Sequence, residues 1–311
     1  MDILDVSKED YAACVPNPFS KFETAEFIEL NKHKADYVKY FLFDNGKKRF
    51  GFVCGIKDGV LKAPFSASYG IFSEITENSR IEYFHEAVKA LIEWCASAGL
   101  KQICAGAPAL SYNPSLITKF QNALISNGFQ IESYDVNFEF YTKNFDENYL
   151  SCIQRNARKN YNTAARNGLM FEKTDDAASV YEIIKINREF RGFPLRMSLE
   201  EIVNTSKIIP SDYFIVYDAA GNKAASALIH HLKESLARVV YWGNTPESEE
   251  VRPVNFLSYN IFKYYKEKGI SLIDIGTSTV SGVPNYGLCD FKDSIGCSCS
   301  PKINWFLNLP V

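Results

Sequence analysis

The chain has 311 residues, 46% of them hydrophobic and 23% charged, with a formal net charge of −3. That length suits two domains better than one core, the composition is that of a folded chain, and the small net charge excludes a global attraction to nucleic acid or membrane, so any anion must be held by a local cluster. No apolar run reaches the roughly 18 residues of a membrane helix, residues 1–10 lack the pattern of a secretory leader, and the 8 cysteines form neither a dense disulfide framework nor a zinc spacing. The expectation is a reduced, cytoplasmic protein with no membrane insertion and no metal; oligomeric state is not specified.

In chain order, Asn17-Pro-Phe-Ser20 leads into a short helix over 25–30. Residues 37–43 and 48–56 flank Asn45-Gly46, a pair able to supply positive φ at both turn positions, which predicts a hairpin. Asp58-Gly59 then turns into a strand over 60–62. Helical periodicity in Ile81, Phe84, Val88, Leu91, Ile92 and Cys95 stops at Gly99. A strand over 100–105, a helix over 114–127 closed by Gly128, and a long strand over 129–141 follow. The polar stretch 144–148 predicts a domain junction, giving domains over 1–146 and 147–311.

The second half repeats this grammar. A helix over 150–167 precedes strands over 213–217 and 223–231, which flank Gly221-Asn222. A β-branched and aromatic strand over 238–243 follows, then a helix opened by Pro253 and stopped by Gly269, a strand over 271–276, a glycine-rich loop, and a last strand over 303–307. In each half a helix ends at glycine (Gly99, Gly269) and another glycine comes seven residues later (Gly106, Gly276). This predicts two copies of one α/β fold with mixed sheets.

The helix over 150–167 is amphipathic. Arg155, Lys159 and Arg166 fall within roughly 40° of one another at about 100° per residue, opposite Ile153, Ala157, Tyr161 and Ala164. With Arg158 added and no acid between 151 and 168, a phosphate-bearing ligand would explain the bias, since ordinary exposed faces mix both signs; a solvated helix face is the competing explanation. Arg188, Arg191 and Arg196 flank Gly192-Phe-Pro194, and guanidinium groups bind phosphate through paired planar hydrogen bonds; loop solvation is the competing explanation. Asp274 stands mid-strand between Ile273 and Ile275, where a charge must find a partner. It either does chemistry or satisfies nearby groups. His230 and His231 point to opposite faces of a strand, with no acid nearby in sequence to mark either as a base.

Several pieces resemble the FemAB-like branch of the GNAT acyltransferase fold, whose members carry two such domains in tandem. They are Tyr241-Trp-Gly243, Pro253-x-Asn255-Phe-Leu257, Lys268-Gly269 with Ile273-Asp-Ile-Gly276, Phe291-Lys292 with Gly296, the basic run from Arg155 to Lys159, and Arg191-Gly-Phe-Pro194. The resemblance implies a transferase that moves an acyl or aminoacyl group onto an amine of an anionic acceptor, nucleotide-linked or related to the cell wall. It implies no tightly bound cofactor, with acyl-CoA or aminoacyl-tRNA as donor. It places Lys292 near the open end of the second sheet, holding a phosphate or the oxyanion, with Asp274 orienting the attacking amine or a base. Arg155, Arg158, Lys159, Arg166, Arg191 and Tyr241 would bind substrate.

Two departures keep alternatives open. Where acyl-CoA users present a glycine-rich loop to the pyrophosphate, this chain reads Glu249-Glu-Val-Arg-Pro-Val-Asn255, without glycine and with a proline that lacks an N–H. The tRNA users' long helical arm also finds no room here, which leaves tRNA unsupported. An acyl-CoA N-acetyltransferase with an atypical phosphate loop is one rival, and a non-catalytic ligand-binding tandem protein another. For Lys292 the rival is a surface ion cluster with Asp290 and Asp293.

Overall fold

The structure is a computed structural model that describes residues 1–77 and 79–310. Its contacts divide it into two compact units, one of residues 1–136, 281–283 and the stretch from Ser300 onward, the other of residues 137–280 and 284–299. The division at 146/147 read from sequence assigns the last strand to the second domain. By contacts that strand groups with the first, because residues 304–308 pair with residues 102–106.

The first unit contains β1 (Asp2–Asp5), α1 (Lys8–Cys14), α2 (Ala25–Asn31), β2 (Tyr37–Asp44), β3 (Lys48–Lys57), β4 (Val60–Ala63), β5 (Ser73–Glu74), α3 (Ile81–Ser97), β6 (Gln102–Gly106) and α4 (Pro114–Ser126). Strands β1 to β4 form an antiparallel meander with β5 beside β3; β4 then pairs in parallel with β6, and the C-terminal strand Ser298–Asn308 lies antiparallel on β6. The β2–β3 hairpin forms as expected, but of the Asn45-Gly46 pair only Gly46 takes a positive φ (88°). Asp44 pairs with Lys48, so the loop has three residues and needs only one left-handed position. Phe72 centres the core, with its ring 5.1–6.4 Å from those of Phe43, Phe50, Phe52, Phe84 and Phe120.

The second unit follows the same order. It contains the end of β7 (Gln130–Tyr141), α5 (Tyr149–Cys152), α6 (Arg155–Arg166), β8 (Met170–Thr174), α7 (Ala177–Phe190), α8 (Leu199–Ser206), β9 (Ser211–Tyr217), β10 (Lys223–Lys233), β11 (Leu236–Asn244), α9 (Pro253–Glu267), β12 (Leu272–Thr277) and α10 (Tyr286–Ser294). Strands β8 to β11 are antiparallel, β11 pairs in parallel with β12, and residues 137–141 of β7 close the sheet antiparallel to β12. Four antiparallel strands, a parallel step and an antiparallel closing strand thus occur in each unit. Phe140 stacks on Phe262 at 3.8 Å with the rings nearly parallel, which fixes α9 against β7.

Some elements depart from the sequence reading. The helix read over 150–167 is broken at Gln154, whose extended backbone (φ −60°, ψ 148°) separates α5 from α6. Arg188 lies in the last turn of α7 rather than in a loop. Asp176 caps α7 by accepting from the Ser179 N–H, and Val180, Ile183, Ile184 and Asn187 supply the buried stripe. The stretch read as a loop after Gly276 ends in α10, capped by Asn285. Among the described residues no helix is long and apolar enough to cross a membrane.

Candidate functional site

The second unit's sheet opens in the middle. Strands β11 and β12 pair only through Leu236 with Leu272, Ala237 with Ile273 and Arg238 with Asp274, although β11 continues to Asn244 and β12 to Thr277. Both strands bulge just past that last rung: Val240 is the extra residue of β11 against β10, and Ile275 that of β12 against β7, followed by Gly276 at a φ of 83°. A residue with a Cβ would strain that conformation, and the resulting bulge bends the strand. Into the gap opens a cleft of about 790 Å³, bounded by residues 238–244, the start of α9, the end of α7, residues 275–280 and α10. In the first unit all four residues of β4 pair with β6, so no such gap forms between them.

Beneath the cleft lies a charged network. Asp274 is fully buried, and its Oδ2 accepts from Arg238 Nη1 at 2.6 Å while Oδ1 accepts from Asn137 Nδ2 at 2.7 Å and the Gly276 N–H at 2.8 Å. Arg238 lines the cleft and Asp274 does not, so the carboxylate holds the guanidinium in place from behind. Lys292, only 2% exposed, donates from Nζ to Gly276 O at 2.8 Å and Thr277 O at 3.2 Å, and its Nζ lies 5.3 Å from the centre of the Phe138 ring. Burial pushes its pKa down to about 8. Such a lysine is no surface cluster with Asp290 and Asp293. Two of its three N–H groups hold the end of β12, and the third has no partner among the described residues. Ser278, 2% exposed, also lines the cleft, and its hydroxyl has no hydrogen-bond partner among the described residues.

The opposite wall is built on α7. Asn187 is buried and donates from Nδ2 to Asn244 O at 2.8 Å. A Cβ on Gly243 would lie 2.5 Å from the Asn187 side chain, so glycine is what lets helix and strand approach this closely. The next residue, Arg188, is half-buried over the Tyr241 ring at 5.2 Å. Arg191 pairs with Glu249 at 3.2 Å across an exposed rim. In all, Arg188, Arg191, Arg238, Arg252 and Lys292 line the cleft against one carboxylate, Glu249.

Of the residues singled out by sequence, Lys292, Arg191 and Tyr241 therefore meet in one cleft, and Asp274 sits directly behind it. The basic helix does not join them. On α6 only Asn160 borders the cleft, and Arg155, Lys159 and Arg166 lie about 100–140° around the helix from it, exposed. Arg158 turns back to the carbonyls of Leu150 and Ser151 at 3.5 and 3.4 Å. The apolar face behaves as expected, with Tyr161 against Phe256 and Tyr259 of α9. His230 is buried beside the Ser211 hydroxyl at 2.8 Å, and burial pushes its pKa down to about 3. His231 pairs with Asp212 at 2.7 Å; neither histidine lines the cleft.

Sequence reasoning missed Arg238 and Ser278. Arg238 carried a signal, since an arginine and an aspartate each embedded in apolar strands that pair in parallel can satisfy one another. Ser278 carried none.

No family model and no curated protein matches the sequence. Solved structures match along nearly the whole chain. A structure of FemX is 15% identical, covers 99% of this chain and 98% of its own, and superposes with a TM-score of 0.72. The C-terminal domain of a protein named as a lysylphosphatidylglycerol synthetase from Agrobacterium fabrum is 12% identical, with coverages of 97% and 93% and a TM-score of 0.62. A tandem GNAT protein from the clavulanic acid biosynthesis pathway is 9% identical, with coverages of 100% and 99% and a TM-score of 0.57. The shared strand order of the two units and these superpositions agree: the chain has a tandem GNAT fold.

Proposed function

We propose that this chain is a cytoplasmic FemAB-like transferase that moves an acyl or aminoacyl group onto an amine of an anionic acceptor, nucleotide-linked or related to the cell wall. The observation that carries the reading is the cleft opened by the splay of β11 and β12, lined by five bases and one acid. The names of the structural neighbours FemX and lysylphosphatidylglycerol synthetase support the aminoacyl version. The reaction asks little of side chains. An amine attacks an activated carbonyl, the C–N bond forms, and the bond to the donor's oxygen or sulfur breaks as the amine gives up its proton. Catalysis then rests on placing the two substrates and stabilising the oxyanion. The uncommitted N–H of Lys292 and the hydroxyl of Ser278 are the donors we assign to that oxyanion. Arg238, fixed by Asp274, and Arg191 hold the substrate's negative charge, and Tyr241 forms part of the wall.

The donor is either acyl-CoA or an aminoacyl-tRNA, used as a substrate and not as a resident cofactor. The start of α9 favours the second, because its approach carries Glu249 and Glu250, its N-cap is Arg252 in a left-handed conformation, and Pro253 offers no N–H. Thermal shift against coenzyme A, acetyl-CoA and a panel of UDP-sugars tests the assignment. A UDP-sugar is expected to stabilise the protein, by about 2.7 kcal/mol at a hundredfold excess over its Kd. Stabilisation by coenzyme A alone would favour the N-acetyltransferase reading, and no stabilisation by any of them the non-catalytic one.

The exposed stripe of α6 supplies a second test. Arg155→Glu with Lys159→Glu is expected to leave UDP-sugar binding and melting temperature unchanged, since neither residue lines the cleft, yet to weaken aminoacyl-tRNA about tenfold or more through lost phosphate contacts. Unchanged tRNA affinity would return the stripe to a solvated helix face.

A further inference from the structure

The five basic residues of the cleft are not equivalent. Arg238 is committed to Asp274, Arg191 to Glu249, and Lys292 to the carbonyls of Gly276 and Thr277. Arg188 differs: among the described residues no carboxylate pairs with it, although it is half-buried. Its guanidinium carbon lies 5.2 Å from the centre of the Tyr241 ring and 5.9 Å from that of Phe193, and both rings line the same cleft. Burial, with a smaller contribution from Arg196, pushes its pKa down. The fold bears the cost of desolvating a cation that it does not neutralise, as expected where a ligand supplies the counter-charge. The mounting is rigid. Asn187, the preceding residue, is locked between Gly243 and the carbonyl of Asn244.

We infer that Arg188, in cation–π contact with Tyr241 and Phe193, is the anchor for a phosphate ester of the substrate. The inference rests on the anionic reading of the cleft and assigns its principal specificity-determining residue. Stacking on aromatic faces leaves the planar N–H edge of a guanidinium available for paired hydrogen bonds to two oxygens of one oxyanion. A phosphate ester suits the site better than a carboxylate, because Arg252, although exposed, also lines the cleft without a carboxylate partner among the described residues, and a doubly charged group matches two cations.

Titration calorimetry with inorganic pyrophosphate, and with succinate as the carboxylate control, tests the assignment on the wild type, Arg188→Met and Arg188→Lys. Pyrophosphate is expected to bind the wild type. Affinity should fall about tenfold to a hundredfold in Arg188→Met, and nearly as far in Arg188→Lys, which keeps the charge but loses the planar fork. Melting temperatures confirm that each variant is folded. Pyrophosphate binding that survives Arg188→Met overturns this assignment and leaves the anionic cleft standing. Tighter binding of succinate than of pyrophosphate overturns the choice of phosphate. A wild type that binds neither anion overturns both the anchor and the anionic reading beneath it.

Discussion

Lys292→Met is expected to lower turnover roughly a hundredfold at pH 7, the usual cost of removing one donor aimed at a developing oxyanion. The ammonium is buried at the mouth of the splayed strands, with one N–H uncommitted among the described residues. Its chemistry should also show in pH dependence. Because burial brings its pKa down to about 8, wild-type activity is expected to fall as pH rises through that value and the charge is lost. The methionine variant should lack this limb. Stability moves the other way. The folded-state pKa lies below the unfolded value, so the unfolded chain binds more protons between the two, and wild-type stability rises from about pH 8 to about pH 10.4 by on the order of 3 kcal/mol. That rise should also be missing from the variant. The carbonyls of Gly276 and Thr277 lose their donor in the variant, so some loss of melting temperature is expected, and turnover must be compared below both melting points. Wild-type turnover in Lys292→Met would reduce the lysine to a clamp on the end of β12.

Asp274→Ala should destabilise the protein by about 3–5 kcal/mol, because it breaks a buried ion pair with Arg238 and strips Asn137 and the Gly276 N–H of their acceptor. At this size that corresponds to a fall in melting temperature of roughly 10 °C. A double-mutant cycle with Arg238→Met separates the two roles of the aspartate. If Asp274 acts on substrate only by positioning Arg238, the double variant binds substrate as Arg238→Met alone does. A loss below about 1 kcal/mol in Asp274→Ala, the range of an exposed ion pair, would show that the pair is solvated. An aspartate that still affects turnover in the Arg238→Met background would be acting directly.

The sequence made the frame legible where local physics suffices. Apolar residues at a 3.6-residue spacing and a following glycine mark α3 and α9, and Gly99 and Gly269 adopt the positive φ (70° and 76°) that ends a helix. The β2–β3 and β9–β10 hairpins are likewise written in short-range turn chemistry. By contrast, α7 lay unread because only four of its residues form the buried stripe, and α10 because it has Gly287 in its first turn and little apolar periodicity. The basic stripe on α6 was read correctly as a stripe, but the cleft it was meant to line belongs to other elements. Periodicity tells which side chains share a helix face, not what that face looks at.

Taken alone, the amino-acid sequence determined the elements, their order and the doubling of the fold, because helix periodicity, strand alternation and glycine stops act over a few residues and are written consecutively. Only the tertiary structure decided which charges meet. Arg238 and Asp274 are brought together by three rungs of parallel pairing, Lys292 reaches the carbonyls of residues 276 and 277 from a separate helix, and Arg188 meets Tyr241 across the wall between α7 and β11. Each partnership is set by strand register and helix packing, which bring together residues far apart in the chain. A buried charge must find its partner through that packing, and nothing in its sequence neighbourhood names the partner.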